Sequence, residues 1–148
     1  MRDAHRRGQT LVEFALVLPI FILLMFGLFD LGRAVYAYNT ISNAARSGAR
    51  TAIVNQTEAT VRARAIQESV SLGVTDADVT ISYLQPATAT ACVSPINIGC
   101  RVQVAVEYTW FAATPIIGPI IGSVTMEASS EMPVERTCPY PPTLDPCP

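Results

Sequence analysis

The sequence predicts an α+β protein: a long N-terminal helix whose first half spans a membrane, then a short second helix packed on a small antiparallel sheet of about three strands. Three observations predict this. Phe14–Phe29 runs without a charged residue. The segment beyond it repeats small residues at three- and four-residue steps, the period of a helix face. Three later segments alternate apolar with polar residues, the period of a half-buried strand.

Residues 1–8 form a short basic leader carrying Arg2, His5, Arg6 and Arg7. Residues 9–32 are the transmembrane helix. A helix rises ~1.5 Å per residue, so about 20 residues cross a ~30 Å hydrocarbon layer, and this stretch is just long enough. Pro19 lies within it and predicts a local kink, because proline removes one hydrogen bond and crowds the preceding turn. The leader is basic and only Arg33 follows the span closely, which keeps the N-terminus cytoplasmic and exports the rest. A cleaved signal peptide shares this outline. Against it, Glu13 interrupts the start of the apolar run, which is longer than the usual ~7–15 residues. The best small-residue site, Val35-Tyr36-Ala37, also falls beyond Asp30 and Arg33 in a continuing helical pattern.

Residues 33–54 continue the helix outside the membrane. Ala34, Ala37, Ile41, Ala44, Ala45, Gly48 and Ala52 make a smooth stripe, with Arg33, Asn39, Asn43, Arg46 and Arg50 on the other side. Such a stripe admits a close partner surface, either the chain's own sheet or a neighbouring subunit's helix. Residues 55–134 form the extracytoplasmic α+β domain. Asn55 and Glu58 have capping-box spacing for its helix, Val61, Ala65, Ile66 and Val70 give the apolar side, and Gly73 ends it. The strands are marked by Val79, Ile81 and Tyr83, by Val102, Val104, Val106, Tyr108 and Trp110, and by Val124, Met126 and Ala128. Residues 135–148 are a Pro/Cys-rich tail.

Several function classes find no support. Net charge is −2, which offers no electrostatic hold on nucleic acid. No histidine accompanies a nucleophile, and there is no phosphate loop or metal-ligand cluster, so neither an enzyme nor a cofactor is expected. Glu107 and Glu127 point outward on strands and read as solvated surface. Cys92, Cys100, Cys138 and Cys147 permit three pairings. In an exported domain disulfides are their natural use, with sequence neighbours paired; their spacings are not those of a zinc ribbon or finger. The tandem Pro115-Ile116-Ile117-Gly118-Pro119-Ile120-Ile121-Gly122 is too short to cross a bilayer. It is either a buried connection or, through Ile116, Ile117, Ile120 and Ile121, a contact loop for the membrane or a partner. Asp30 and Arg33, three residues apart, either pair along one helix face or mark the water interface.

The remaining oddity is Glu13, an acid inside the edge of the apolar segment. An acid there costs up to about 3 kcal/mol near a helix centre, less near the interface, so something should compensate it. Gly8, then Glu13 and Phe14, ahead of a membrane span, resemble the processing site of type IV prepilins. That resemblance makes Gly8 the last leader residue, Gln9 the new N-terminus and a prepilin peptidase the processing enzyme. Arg7-Gly8-Gln9, Val12-Glu13-Phe14-Ala15-Leu16-Val17-Leu18-Pro19, Asp30, Gly32-Arg33 and Asn43-Ala44-Ala45-Arg46 further resemble the TadE-like family of tight-adherence (Flp) pilus assembly proteins. The resemblance covers roughly residues 6–52 and implies a pilin-like architecture, a single-pass protein of the bacterial cytoplasmic (inner) membrane, and a minor pilin or pseudopilin role in assembling or anchoring an adhesive pilus. Its partners would be other pilins, pseudopilins and pilus assembly proteins. Major pilins usually carry an aromatic after the cleavage glycine, where this chain has Gln9. The alternative from another class is an unprocessed, membrane-anchored extracytoplasmic binding protein.

Overall fold

The computed structural model describes residues 2–92, 96, 98–114 and 118–135. Cys138 and Cys147, Ile116 and Ile117, and the tail from residue 136 lie outside them. The elements run α1 (Arg2–Ala52), α2 (Glu58–Glu68), β1 (Val79–Leu84), β2 (Arg101–Phe111), α3 (Gly118–Ile121) and β3 (Ser123–Pro133). This is the α+β order read from the pattern. The chain divides into two compact units: residues up to Val35 with Phe111–Ser123, and Tyr36–Trp110 with the chain from Val124.

In the second unit the sheet has the order β1-β2-β3 and is antiparallel. In β1 and β2, Val79 faces Val106, Ile81 faces Val104 and Tyr83 faces Val102. The alternation of β2 puts Val102, Val104, Val106 and Trp110 inward and buried. β3 contributes Ala128, with Met126 and Met132 partly covered, while Val124 at its start is exposed.

Against these strands lies the small-residue stripe of α1. Ile41, Ala44, Ala45, Ala49 and Ala52 are buried in one cluster with Val61, Ala65, Val102, Val104 and Val106. Of the two surfaces the stripe could cover, the chain's own sheet is the one it meets. Gly48 explains the close approach: a Cβ there would stand 3.1 Å from Val104 Cγ1 and 3.4 Å from Ala65 Cβ. Arg46 and Arg50 face outward, as the pattern required.

Two local expectations are corrected. The Asn55/Glu58 capping box does not form: Thr57 is the N-cap of α2, without a side-chain cap bond. Asn55 instead accepts from the Thr57 N–H through Oδ1 at 2.9 Å, an Asx turn that sets the helix start two residues later. A capping box does occur further on, where Thr75 and Asp78 exchange bonds around the 3₁₀ turn Asp76–Asp78. Val70 is not on the apolar face either; it is 68% exposed. Ser69 Oγ donates to the Ala65 carbonyl at 2.9 Å as α2 ends, and a 3₁₀ turn over Val70–Leu72 rotates Val70 outward. Gly73 closes that turn at φ 71°, in the left-handed region glycine enters freely.

A disulfide joins Cys92 to Cys100, closing the β1–β2 connection as sequence-neighbour pairing predicted. Val134 N–H donates to the Cys100 carbonyl at 2.8 Å and Glu135 N–H to the Ile53 carbonyl at 3.2 Å, tying the chain just after β3 to both the hairpin and the residue that follows α1.

The first unit holds the apolar half of α1 and the β2–β3 connection. α1 starts at Arg2 and not near Gln9, continuing through Gly8 and through Pro19. A glycine costs only ~1 kcal/mol in a helix interior, too little to stop one between helix-forming neighbours.

Candidate functional site

The singled-out residues of the N-terminal segment lie along α1. Gln9, Glu13 and Phe14 are all exposed, and the Gln9 Nε2 amide donates to Glu13 Oε1 at 3.5 Å, one turn along the same helix. Gln9–Ala52 is the described helix long and apolar enough to cross a membrane, and no residue of its most apolar stretch is buried within the protein. Leu16, Ile20, Leu24 and Leu28 are each exposed, as are Phe14, Phe21 and Phe29. A soluble helix hides one apolar stripe; this one presents apolar side chains on all sides, the pattern of a lipid-facing span.

The C-terminal end of that apolar run is organised by Asp30. Although it follows sixteen charge-free positions and stands one residue beyond Phe29, it is only 5% exposed. Its Oδ1 accepts the Ala113 N–H at 2.9 Å, and its Oδ2 accepts the Thr114 N–H at 3.0 Å together with the Thr114 hydroxyl. The Arg33 guanidinium approaches Oδ1 at 3.5 Å and is half exposed. The pairing read from sequence is present, but it is the weaker part of the arrangement. Asp30 is not a solvated boundary marker; it is a two-oxygen acceptor for the backbone that follows β2. Nothing in sequence links residue 30 to residue 114, so this role was invisible there. Beyond Thr114 the chain closes into α3, where Gly118 N–H reaches the Thr114 carbonyl and Gly122 N–H the Gly118 carbonyl, both at 2.8 Å. Ile121 in α3 is 53% exposed.

Among the described residues of the second unit, Asp78 and Tyr83 have displaced ionisation. The Thr75 hydroxyl, then the Thr75 N–H, hold the Asp78 carboxyl below the usual carboxylate range. Burial, then the nearby Glu58 charge, push the Tyr83 phenol up to about 12. Glu107 and Glu127 are exposed on the outward sheet face, beside Asp78, Thr80 and Ser82, as expected of solvated surface. Among the described residues no cluster of His, Cys, Asp or Glu could hold a metal ion.

No curated protein and no solved structure matches the chain. A family does match its N-terminal part, over residues 8–50. That stretch contains Gly8, Gln9, Glu13, Phe14, Pro19, Asp30 and Arg33, together with most of the stripe that packs on the sheet. Over that stretch, which is under a third of the chain, the sequence is similar to the family described as TadE-like protein.

Proposed function

We propose that this chain is a minor pilin or pseudopilin of the bacterial cytoplasmic membrane, processed by a prepilin peptidase between Gly8 and Gln9, that assists assembly or anchoring of a tight-adherence pilus. One observation carries the reading. The family match begins at Gly8 and spans a helix whose first half is apolar on every face yet keeps a carboxylate, Glu13, near its start. Hydrolysis of the Gly8–Gln9 bond would leave an α-amine on Gln9, four residues and ~6 Å of helix rise from Glu13. A neighbouring subunit offset by that rise brings its amine level with the acid. The pair then offsets two charges that are each expensive in hydrocarbon. In the unprocessed chain the Gln9 side-chain amide donates to Glu13. The role is structural, with α1 as anchor and the exported unit as the surface other pilus components meet; no catalysis is assigned to it.

A second reading, an unprocessed anchored binding protein, is favoured by one feature: α1 runs unbroken through Gly8 to Arg2. A peptidase needs an extended backbone, so the leader would have to unwind first. Intact-mass analysis of membrane-extracted protein separates the two. Processing gives an N-terminus at Gln9, and Gly8→Ala abolishes it. A retained Met1 end in cells with an active prepilin peptidase favours the simple anchor, and a start near Tyr38 means signal-peptidase release. If Glu13→Gln leaves maturation, membrane retention and surface fibres undisturbed, the pilus reading fails.

A further inference from the structure

The chain carries no charged residue from Tyr108 to Met126, between Glu107 and Glu127. Within that stretch Phe111 is 62% exposed and Ile121 53% exposed. Two large apolar side chains facing water are unfavourable by ~25 cal/mol per Å² of uncovered area, so something should cover them. The same compact unit supplies the candidate. It consists of the apolar half of α1 and the Phe111–Ser123 segment, joined where Asp30 accepts the Ala113 and Thr114 N–H groups. Asp30 is the residue immediately after the apolar run, so those bonds fix residues 113 and 114 at the level where the span leaves hydrocarbon. α3 and the residue after it meet a condition of that zone, since the Gly118 and Gly122 amides are bonded within the segment and not left for water.

We propose that Phe111 and Ile121, at the end of β2 and the end of α3, make a second membrane contact. It would lie in the interfacial layer of the leaflet that α1 leaves, with the acyl-chain edge covering both side chains. Asp30 is the positioning residue that holds it there. The inference rests on reading α1 as membrane-spanning, and the test separates the two. Trp110 is the chain's one tryptophan and its buried Nε1 has no hydrogen-bond partner among the described residues, so Trp110→Phe gives a background free of indole without breaking a described bond. In that background Phe111→Trp, Ile121→Trp and, as a reference in mid-span, Phe21→Trp are made one at a time. The full-length chains are reconstituted in phosphatidylcholine vesicles brominated at shallow or deep acyl positions.

The indoles at positions 111 and 121 should each lose most of their fluorescence to shallow bromines and less to deep ones, while that at position 21 responds most to deep bromines. Both contact positions are exposed, so neither replacement disturbs packing, and each reports independently. Quenching at position 21 without quenching at 111 and 121 overturns the second contact and leaves the span standing. No quenching at any of the three overturns both. Indoles at 111 and 121 that escape lipid bromine yet are shielded from aqueous acrylamide assign the face to protein, which also overturns the proposal.

Discussion

Gly48 is where the packing of α1 on the sheet is tightest and therefore most open to test. Gly48→Ala raises helix propensity by about 1 kcal/mol. It also places a methyl 3.1 Å from Val104 Cγ1, inside the ~3.5–4.0 Å of a comfortable carbon contact. Overpacking of this kind costs about 1–3 kcal/mol, so the variant should be neutral to about 2 kcal/mol less stable. Val104 is fully buried, and Val104→Ala alone should cost about 2 kcal/mol through lost burial and the space left behind. In that background the new methyl has room, and Gly48→Ala should now stabilise by about the 1 kcal/mol of its propensity gain. The coupling between the two sites is then about 1–3 kcal/mol, read from urea unfolding of the full chain in detergent micelles followed by the fluorescence of Trp110. An equal effect of Gly48→Ala in both backgrounds refutes the contact. With it would fall the conclusion that the stripe covers this chain's own sheet.

Three further outcomes follow from other parts of the molecule. Asp30→Ala should speed amide hydrogen exchange at Ala113 and Thr114 by at least about tenfold, the worth of one lost charge-assisted bond, whereas Arg33→Ala should change it far less; equal effects would mean the ion pair holds the segment. Tyr83, with its phenol raised from 10.0 to about 12, binds its proton more tightly when folded, so its contribution is complete below about pH 10 and is lost as pH climbs through about 12. Tyr83→Phe should therefore flatten the alkaline loss of stability in that window, and an unchanged alkaline limb would contradict the assignment. Replacing Cys92 and Cys100 together by Ala frees a loop closed over a sequence separation of 8 and should cost about 2.5 kcal/mol in thermal or urea unfolding; no loss would show that the hairpin is held without it.

Periodic features were legible in the sequence because period is a local property. The stripe from Ala37 to Ala52 and the alternation of Val102, Val104 and Val106 each state which face is covered, and the structure buries those faces. The start of α2 was misread for the opposite reason. Asn55 followed by Glu58 fits a cap, but an Asn side chain serves equally well in a turn, and here Asn55 bonds the Thr57 amide two residues on. Val70 continues the apolar spacing on paper, yet the helix ends before it and the tighter 3₁₀ turn changes the angle per residue. The proposed processing set at Gly8, Glu13 and Phe14 is visible as an ordered motif within one helix. Asp30 was half visible: its neighbour Arg33 is three residues away, whereas the amides it serves are more than eighty residues on. Bonds of that reach leave no mark in composition or spacing.

The bridge between Cys92 and Cys100 has a consequence for damage. Any single backbone cut between those two residues leaves β1 and β2 joined through sulfur, with their facing register of Val79 to Val106 and Ile81 to Val104 still paired. The two fragments would travel as one species until a reductant is added. If the domain is exported as proposed, a nick in this connection becomes a survivable injury and not a route to shedding.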